Sequence, residues 1–169
     1  VLDKPDQEVI YNKLIETLNK EILEKLAEWY AAYYDPENAE FKKILKEGKL
    51  KGKSVLELGC GTGRITFQLA KHAKSVVSVD NDEAYLEYCE EKKKELKVKN
   101  LKLVKKNINN LGSLGKFDVI VSGWAGLHYS KNPLKIIKSL KKHLKKDGVL
   151  IIIEAYTESD YMKILNTVR

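Results

Sequence analysis

Three glycines at alternate positions follow a short apolar segment in the first half of this chain. Residues 55–63 have the sequence Val-Leu-Glu-Leu-Gly-Cys-Gly-Thr-Gly, in which the apolar run contains one acidic residue. Glycine has no Cβ atom and tolerates positive φ angles, so a turn of this kind lets the backbone approach a ligand closely. A helix that begins after the turn would also direct its free backbone N–H groups toward that ligand. The segment therefore predicts a strand, a tight turn and a helix, with a ligand at the turn.

The spacing of the glycines narrows the class of ligand, which we expect to be a nucleoside-containing cofactor. The fingerprint of nicotinamide and flavin sites is G-x-G-x-x-G. Here the third glycine, Gly63, comes one residue early, and Arg64 occupies the sixth position. The segment instead resembles motif I, E/D-x-G-x-G-x-G, of the class I S-adenosylmethionine-dependent methyltransferases. Taken alone, the pattern also fits a tight turn that binds no ligand.

A second acidic residue lies where such a site needs one. Residues 75–80, Ser-Val-Val-Ser-Val-Asp, predict the next strand, and Asp80 follows Gly59 by 21 residues. In α/β nucleotide sites, a carboxylate at about this distance accepts hydrogen bonds from the ribose hydroxyls. A solvated acid at the end of a strand is the alternative. The coupling of Asp80 to the glycine turn favours the binding role.

Short apolar segments alternate with helical patterns in the rest of the chain. This alternation predicts an α/β fold with a doubly wound, mostly parallel, Rossmann-like sheet. We expect strands near 53–58, 75–80, 101–105, 117–122 and 148–154, and helices near 63–72, 83–97, 133–145 and 159–167.

The first 48 residues differ from this pattern. Apolar residues recur at helical spacing between residues 7 and 31, and a short helix is expected to end at Gly48. We predict a helical lid over residues 1–48 and an S-adenosylmethionine-binding α/β unit over residues 49–169, which together form one domain. At 169 residues, the chain is long enough for one core.

The methyltransferase resemblance extends over about residues 29–154 and implies a set of cofactor contacts. Segments 117–122, Phe-Asp-Val-Ile-Val-Ser, and 145–151, Lys-Lys-Asp-Gly-Val-Leu-Ile, resemble the family's fourth-strand and fifth-strand motifs. The implied contacts with S-adenosyl-L-methionine are to its methionine part, its ribose and its adenine. The residues are Glu57, Gly59, Cys60, Gly61 and Gly63 for the methionine part, Asp80 for the ribose, Asn81, Asn107 and Ile108 for the adenine, and Ser122 at the end of the fourth strand.

The resemblance also implies an antiparallel hairpin after the fifth strand. The chain reaches Arg169 about fifteen residues beyond that strand. We therefore expect the C-terminal strands of the family's sheet to be missing, which would leave an edge strand exposed.

Methyl transfer requires the protein to hold an acceptor and, for a weak nucleophile, to remove a proton. His128 lies after the fourth strand and is the best candidate for a base, because histidine titrates near neutrality; a polar residue at a helix start is the alternative. His72 and His143 are expected at the surface. Trp124 and Tyr129 could line an acceptor pocket or belong to the core. The N-terminal helices, with Tyr33 and Tyr34, resemble the lid of small-molecule methyltransferases, which adds these two residues to the expected pocket. A small-molecule acceptor is favoured.

The net charge of the chain is compatible with partners other than a small molecule. The net charge is +7, and 29 of the 31 basic residues are lysines. Lysine lacks the fork geometry of arginine that suits base and phosphate recognition, although it supports diffuse attraction to polyanions. A methyltransferase acting on RNA or protein, and a non-catalytic RNA-binding module with a vestigial cofactor fold, are the alternatives.

The compartment follows from absent signals. We find neither a run of ~20 apolar residues for a membrane span nor a secretory signal, and the two cysteines do not suggest a metal site or a disulfide framework. We expect a cytoplasmic protein with no membrane partner, and the oligomeric state stays open.

Overall fold

The computed structural model describes residues 19–29, 31–32, 35, 37–123, 127, 132–155 and 162–168. No helix among these residues combines the length and apolar character needed to cross a membrane.

A six-stranded sheet with the order β3-β2-β1-β4-β5-β6 forms the centre of the fold. The first five strands in the chain run parallel, and β6 pairs antiparallel with β5. The chain leaves β1 toward β2 and β3 on one side and returns to β4 on the other, so the topological switch point lies between β1 and β4. The predicted doubly wound sheet is confirmed. The strands are β1 (Ser54–Leu58), β2 (Ser75–Asp80), β3 (Leu101–Lys105), β4 (Phe117–Ser122), β5 (Leu144–Ala155) and β6 (Met162–Val168).

Helices cover both faces of the sheet, because successive apolar residues of its strands point to opposite sides. Val55 and Val119 belong to one buried cluster, whereas their neighbours Leu56 and Ile120 belong to the other. The helices are α1 (Ala39–Gly48), α2 (Thr66–His72), α3 (Glu83–Glu95) and α4 (Pro133–Leu140), followed by a 3₁₀ turn (Lys141–His143).

The N-terminal segment includes a helix over residues 19–29. The Lys20 Nζ atom lies 3.2 Å from Glu91 and 3.3 Å from Glu95, so this helix rests against the C-terminal half of α3. Ile44 of α1 is fully buried in the same hydrophobic cluster as Val55 and Val119 of the sheet. The division of the chain at residue 48 stays a prediction.

Three expectations about the C-terminal part are wrong. Residues 162–168 form a strand instead of the helix expected near 159–167, so the sheet does continue beyond the fifth strand. Without β6, the backbone groups along one edge of β5 would lack partners, and pairing satisfies them. The helix expected near 133–145 ends earlier, at Leu140, and β5 begins at Leu144.

His72 is exposed as expected, but His143 is not. Only 8% of His143 is accessible, and its Nδ1 atom lies 3.1 Å from the Gly115 carbonyl oxygen. The hydrogen bond satisfies one polar atom of the buried ring, which explains how it fits beneath a lysine-rich surface.

Candidate functional site

The glycine turn connects the end of β1 to α2 at the carboxyl edge of the sheet. The backbone N–H groups of Gly59 and Cys60 donate to the Val79 carbonyl at 2.8 and 3.1 Å. The Gly63 N–H donates to the Cys60 carbonyl at 2.9 Å and closes the turn. The turn is thus fixed to the end of β2, at the edge where open α/β sheets bind ligands.

A side chain would have different consequences at two glycines of the turn. Gly61 and Gly63 have φ angles of +50° and +80°, which disfavour other residues. A Cβ atom on Gly63 would come within 2.6 Å of the Phe67 ring and 3.0 Å of the Cys89 sulfur. A Cβ atom on Gly61 would meet no described atom within 4 Å. Gly63 therefore serves the packing of α2 and α3 on the turn, whereas the space at Gly61 is open to a ligand.

This difference predicts unequal costs of two matched substitutions. Gly63→Ala combines backbone strain with overpacking and should lower the free energy of unfolding by about 2–5 kcal/mol. Gly61→Ala adds backbone strain alone and should lower it by about 1–2 kcal/mol. Urea unfolding of both variants in the absence of ligand measures the costs. Equal losses would contradict the assignment of open space to Gly61.

Asp80 ties the turn to the carboxyl end of β2. Its side chain is buried; Oδ2 accepts the Gly61 N–H at 2.8 Å, and Oδ1 accepts the Asp82 N–H at 3.0 Å. A carboxylate can accept about four hydrogen bonds, so acceptor capacity remains on both oxygens. The predicted partners Gly61 and Asp80 are therefore adjacent, and Asn81, the next residue, is exposed.

Glu57 is the penultimate residue of β1 and is buried. Its Oε2 atom accepts hydrogen bonds from Ser78 Oγ at 2.6 Å and Thr66 Oγ1 at 2.7 Å. Burial raises the pKa of Glu57 to about 7, and the two hydrogen bonds and Arg64 oppose that shift only in part. The carboxyl group is consequently poised to change charge near neutral pH.

Ser122 ends β4 directly beside the last residue of β1, Leu58. Its Oγ atom is fully buried and has no hydrogen-bond partner among the residues that the structure describes. A buried hydroxyl is costly to leave unpaired, so we expect Ser122 Oγ to have a partner outside the described residues.

The residues that follow β3 lie at the same carboxyl edge of the sheet. The Asn107 Oδ1 atom accepts hydrogen bonds from Asn109 N and Nδ2, both at 2.9 Å, so the amide stabilises its own turn. Ile108 is half-buried against the core. The structure therefore brings the turn, Asp80 and Ser122 together at adjacent strand ends, whereas the Asn107 side chain is engaged locally.

A cluster of three charged residues next to the turn was not predicted from the sequence. The Arg64 Nη1 atom donates to Asp35 Oδ2 at 3.0 Å, and Nη2 contacts Glu40 Oε2. Both carboxylates come from the N-terminal segment, which is far away in sequence. Only the isolated arginine at the sixth position of the glycine motif could have drawn attention to this cluster.

Residues 49–168 match the family described as a methyltransferase domain. The chain belongs to this methyltransferase family. It is 31% identical over 158 residues to the demethylmenaquinone methyltransferase of Lactococcus lactis subsp. lactis, covering 85% of this chain and 62% of the relative. It is 30% identical over 118 residues to a tRNA U34 carboxymethyltransferase of Mannheimia succiniciproducens, covering 69% of this chain and 36% of the relative. The methyltransferase chain thus spans less than two thirds of the length of these relatives.

Solved structures confirm the methyltransferase fold. An S-adenosylmethionine-dependent methyltransferase from Aquifex aeolicus superposes with a TM-score of 0.67 at 28% identity, covering 83% of this chain and 74% of that one. Coclaurine N-methyltransferase bound to N-methylheliamine and S-adenosylhomocysteine superposes with a TM-score of 0.65 at 26% identity, covering 70% of this chain and 35% of that one.

Two buried cysteines, one within the glycine turn and one in α3, lie close to Gly61. The Cys89 thiol donates to the Gly61 carbonyl at 3.3 Å. A hydrogen bond with Cys89, together with burial, raises the pKa of the Cys60 thiol above its ordinary value. Cys60 is also buried, and a thiol held neutral is a poor nucleophile.

The acceptor side of the methyltransferase stays at the level of prediction. The candidate base His128 and the expected pocket aromatics lie outside the described residues; these aromatics are Tyr33, Tyr34, Trp124 and Tyr129.

Proposed function

We propose that this chain binds S-adenosylmethionine at the glycine turn and transfers its methyl group to a small-molecule acceptor. The observation that carries the proposal is the open space at Gly61 beside a carboxylate, Asp80, that is already tied to the same backbone. A nucleoside cofactor needs both a side-chain-free approach and acceptors for its ribose hydroxyls.

The residues at this edge fit such a cofactor. Asp80 would accept from the ribose hydroxyls, and the Ser122 hydroxyl, which has no partner among the described residues, offers a further polar contact at the end of β4. The buried Glu57 carboxyl, which charges near neutral pH, would favour a cationic ligand. The remaining proposed contacts are Gly59, Cys60 and Gly63 in the turn, and Asn81, Asn107 and Ile108 near the adenine. When bound, S-adenosylmethionine supplies an electrophilic methyl group, and this chain's own task is to position and, where needed, deprotonate the acceptor.

A small molecule is the favoured acceptor. Demethylmenaquinone and coclaurine, which appear in the names of the similar methyltransferases, are small molecules. We propose that His128 acts as the base and that Tyr33, Tyr34, Trp124 and Tyr129 line the acceptor pocket.

An RNA acceptor is the second candidate. The similarity to a tRNA U34 carboxymethyltransferase and the net charge of +7 favour it. Exposed lysines would then give an affinity for RNA that falls steeply with salt.

Calorimetric titration with S-adenosylhomocysteine and with NAD tests the cofactor proposal. We expect binding of S-adenosylhomocysteine and no heat with NAD, because the early third glycine distinguishes the two turn types. Binding of NAD alone would overturn the proposal. Transfer of a tritiated methyl group from S-adenosylmethionine into a metabolite extract or into tRNA then separates the two acceptor classes.

A further inference from the structure

The N-terminal segment meets the glycine turn at a buried cluster of two carboxylates and one guanidinium. The side chains of Asp35 and Glu40 are 2% and 0% exposed, and that of Arg64 is 21% exposed. Removing carboxylates from water is costly unless each one has specific partners. Among the described residues, Arg64 contacts both carboxylates, and each carboxylate also has surroundings of its own.

Asp35 is explained by the start of α1. Its Oδ1 atom accepts the Ala39 N–H at 2.6 Å, and the Glu40 N–H lies 3.4 and 3.3 Å from its two oxygens. The Asn38 side chain, at the position that ordinarily caps a helix, makes no capping bond. Asp35 therefore satisfies the first free N–H groups of α1 while it binds Arg64.

Glu40 has a different position, because its carboxylate lies between two parts of the candidate site. One oxygen, Oε2, contacts Arg64, which directly follows the glycine turn. The other, Oε1, lies only 3.0 Å from the place that a Cβ atom on Gly123 would occupy. Gly123 follows Ser122 at the end of β4. A single side chain of α1 thus contacts the residue that follows the glycine turn and lies close to the residue that follows β4.

We propose that Glu40 is a positioning residue that couples cofactor binding at the glycine turn to the seating of the N-terminal segment. This inference rests on the proposed function. Charge-assisted contacts to a guanidinium are strong and directional, so a turn fixed by a ligand also fixes Arg64 and, through Glu40, the first turn of α1. Such coupling is reciprocal. A change that loosens α1 must therefore weaken ligand binding by the same factor by which the ligand stabilises α1.

The test uses Glu40→Gln, which keeps the size of the side chain and removes its charge. In the wild type, S-adenosylhomocysteine should slow hydrogen exchange of the α1 amides. In Glu40→Gln, calorimetry should show an affinity weaker by about tenfold or more, and the ligand should no longer protect α1. Glu47→Gln removes the same charge at the other end of α1, where Glu47 pairs with Lys43 at 3.1 Å, and should behave as the wild type.

If thermal scans show that Glu40→Gln does not fold, Arg64→Lys takes its place, because lysine keeps the charge but cannot hold two carboxylates in a fork. Affinity within twofold of the wild type, with α1 still protected by the ligand, would overturn the coupling and leave the proposed function intact. A wild type that does not bind S-adenosylhomocysteine would instead overturn the proposed function and this inference with it.

Discussion

Replacing Asp80 by alanine is expected to weaken the binding of S-adenosylhomocysteine by ~2–3 kcal/mol, or roughly 30- to 150-fold in Kd. The substitution removes the acceptor proposed for the ribose hydroxyls and also releases the Gly61 N–H, which Asp80 holds at 2.8 Å. Both effects act on the same ligand, because Gly61 borders the open space of the turn. Calorimetry on the folded variant gives the Kd.

Asp118→Ala is a matched control for this prediction. Asp118 accepts the Ser54 N–H at 2.8 Å, as Asp80 accepts the Gly61 N–H, but it lies at the opposite end of the sheet. Its loss should lower the thermal midpoint and leave the Kd for S-adenosylhomocysteine unchanged. An Asp80→Ala variant that binds as tightly as Asp118→Ala would remove Asp80 from the proposed site.

Glu57→Gln is expected to stabilise the ligand-free protein at alkaline pH and to abolish a pH dependence of cofactor binding. Burial raises the pKa of Glu57 from 4.5 to about 7, so the folded state binds an extra proton between these values. The stability contributed by this group is therefore present below pH 4.5 and is lost as the pH rises toward 7. Relative to the wild type, Glu57→Gln should gain up to about 3 kcal/mol between pH 4.5 and pH 8. Urea unfolding at several pH values measures this difference.

Cofactor binding should respond to pH in the opposite direction. A cationic ligand favours the ionised carboxylate, so the affinity of the wild type for S-adenosylmethionine should rise by roughly tenfold between pH 6 and pH 8. Glu57→Gln keeps the acceptor oxygen for Ser78 and Thr66 and serves as the background for any titration of the ligand itself. Parallel pH profiles of the wild type and Glu57→Gln would show that Glu57 does not sense the ligand's charge.

The parts of this molecule that could be predicted from sequence are those governed by local patterns. The glycine turn needs positive φ angles at successive glycines, and strands buried on both faces need short apolar β-branched runs; both requirements are visible within about ten residues. For this reason β1 to β4 lie close to their expected bounds, and Asp80 lies beside Gly61.

Contacts between distant segments could not be predicted in the same way. Arg64 pairs with Asp35 and Glu40, which precede it by 29 and 24 residues, and no local periodicity signals such a pairing. The sequence of residues 162–168 has apolar residues at spacings that also fit a helix, but the open edge of β5 selects a strand. His143 follows two lysines, yet it is buried, and its ring lies within hydrogen-bonding distance of the Gly115 carbonyl, 28 residues away in sequence.

A crystal structure of the chain with S-adenosylhomocysteine would test the central claim most directly. The proposed function predicts that the ligand crosses the turn at Gly61, that its ribose hydroxyls lie within hydrogen-bonding distance of Asp80, and that Ser122 Oγ gains a partner. A ligand bound elsewhere, for example in the groove between residues 19–29 and α3 that Leu23 and Tyr88 line, would contradict the claim.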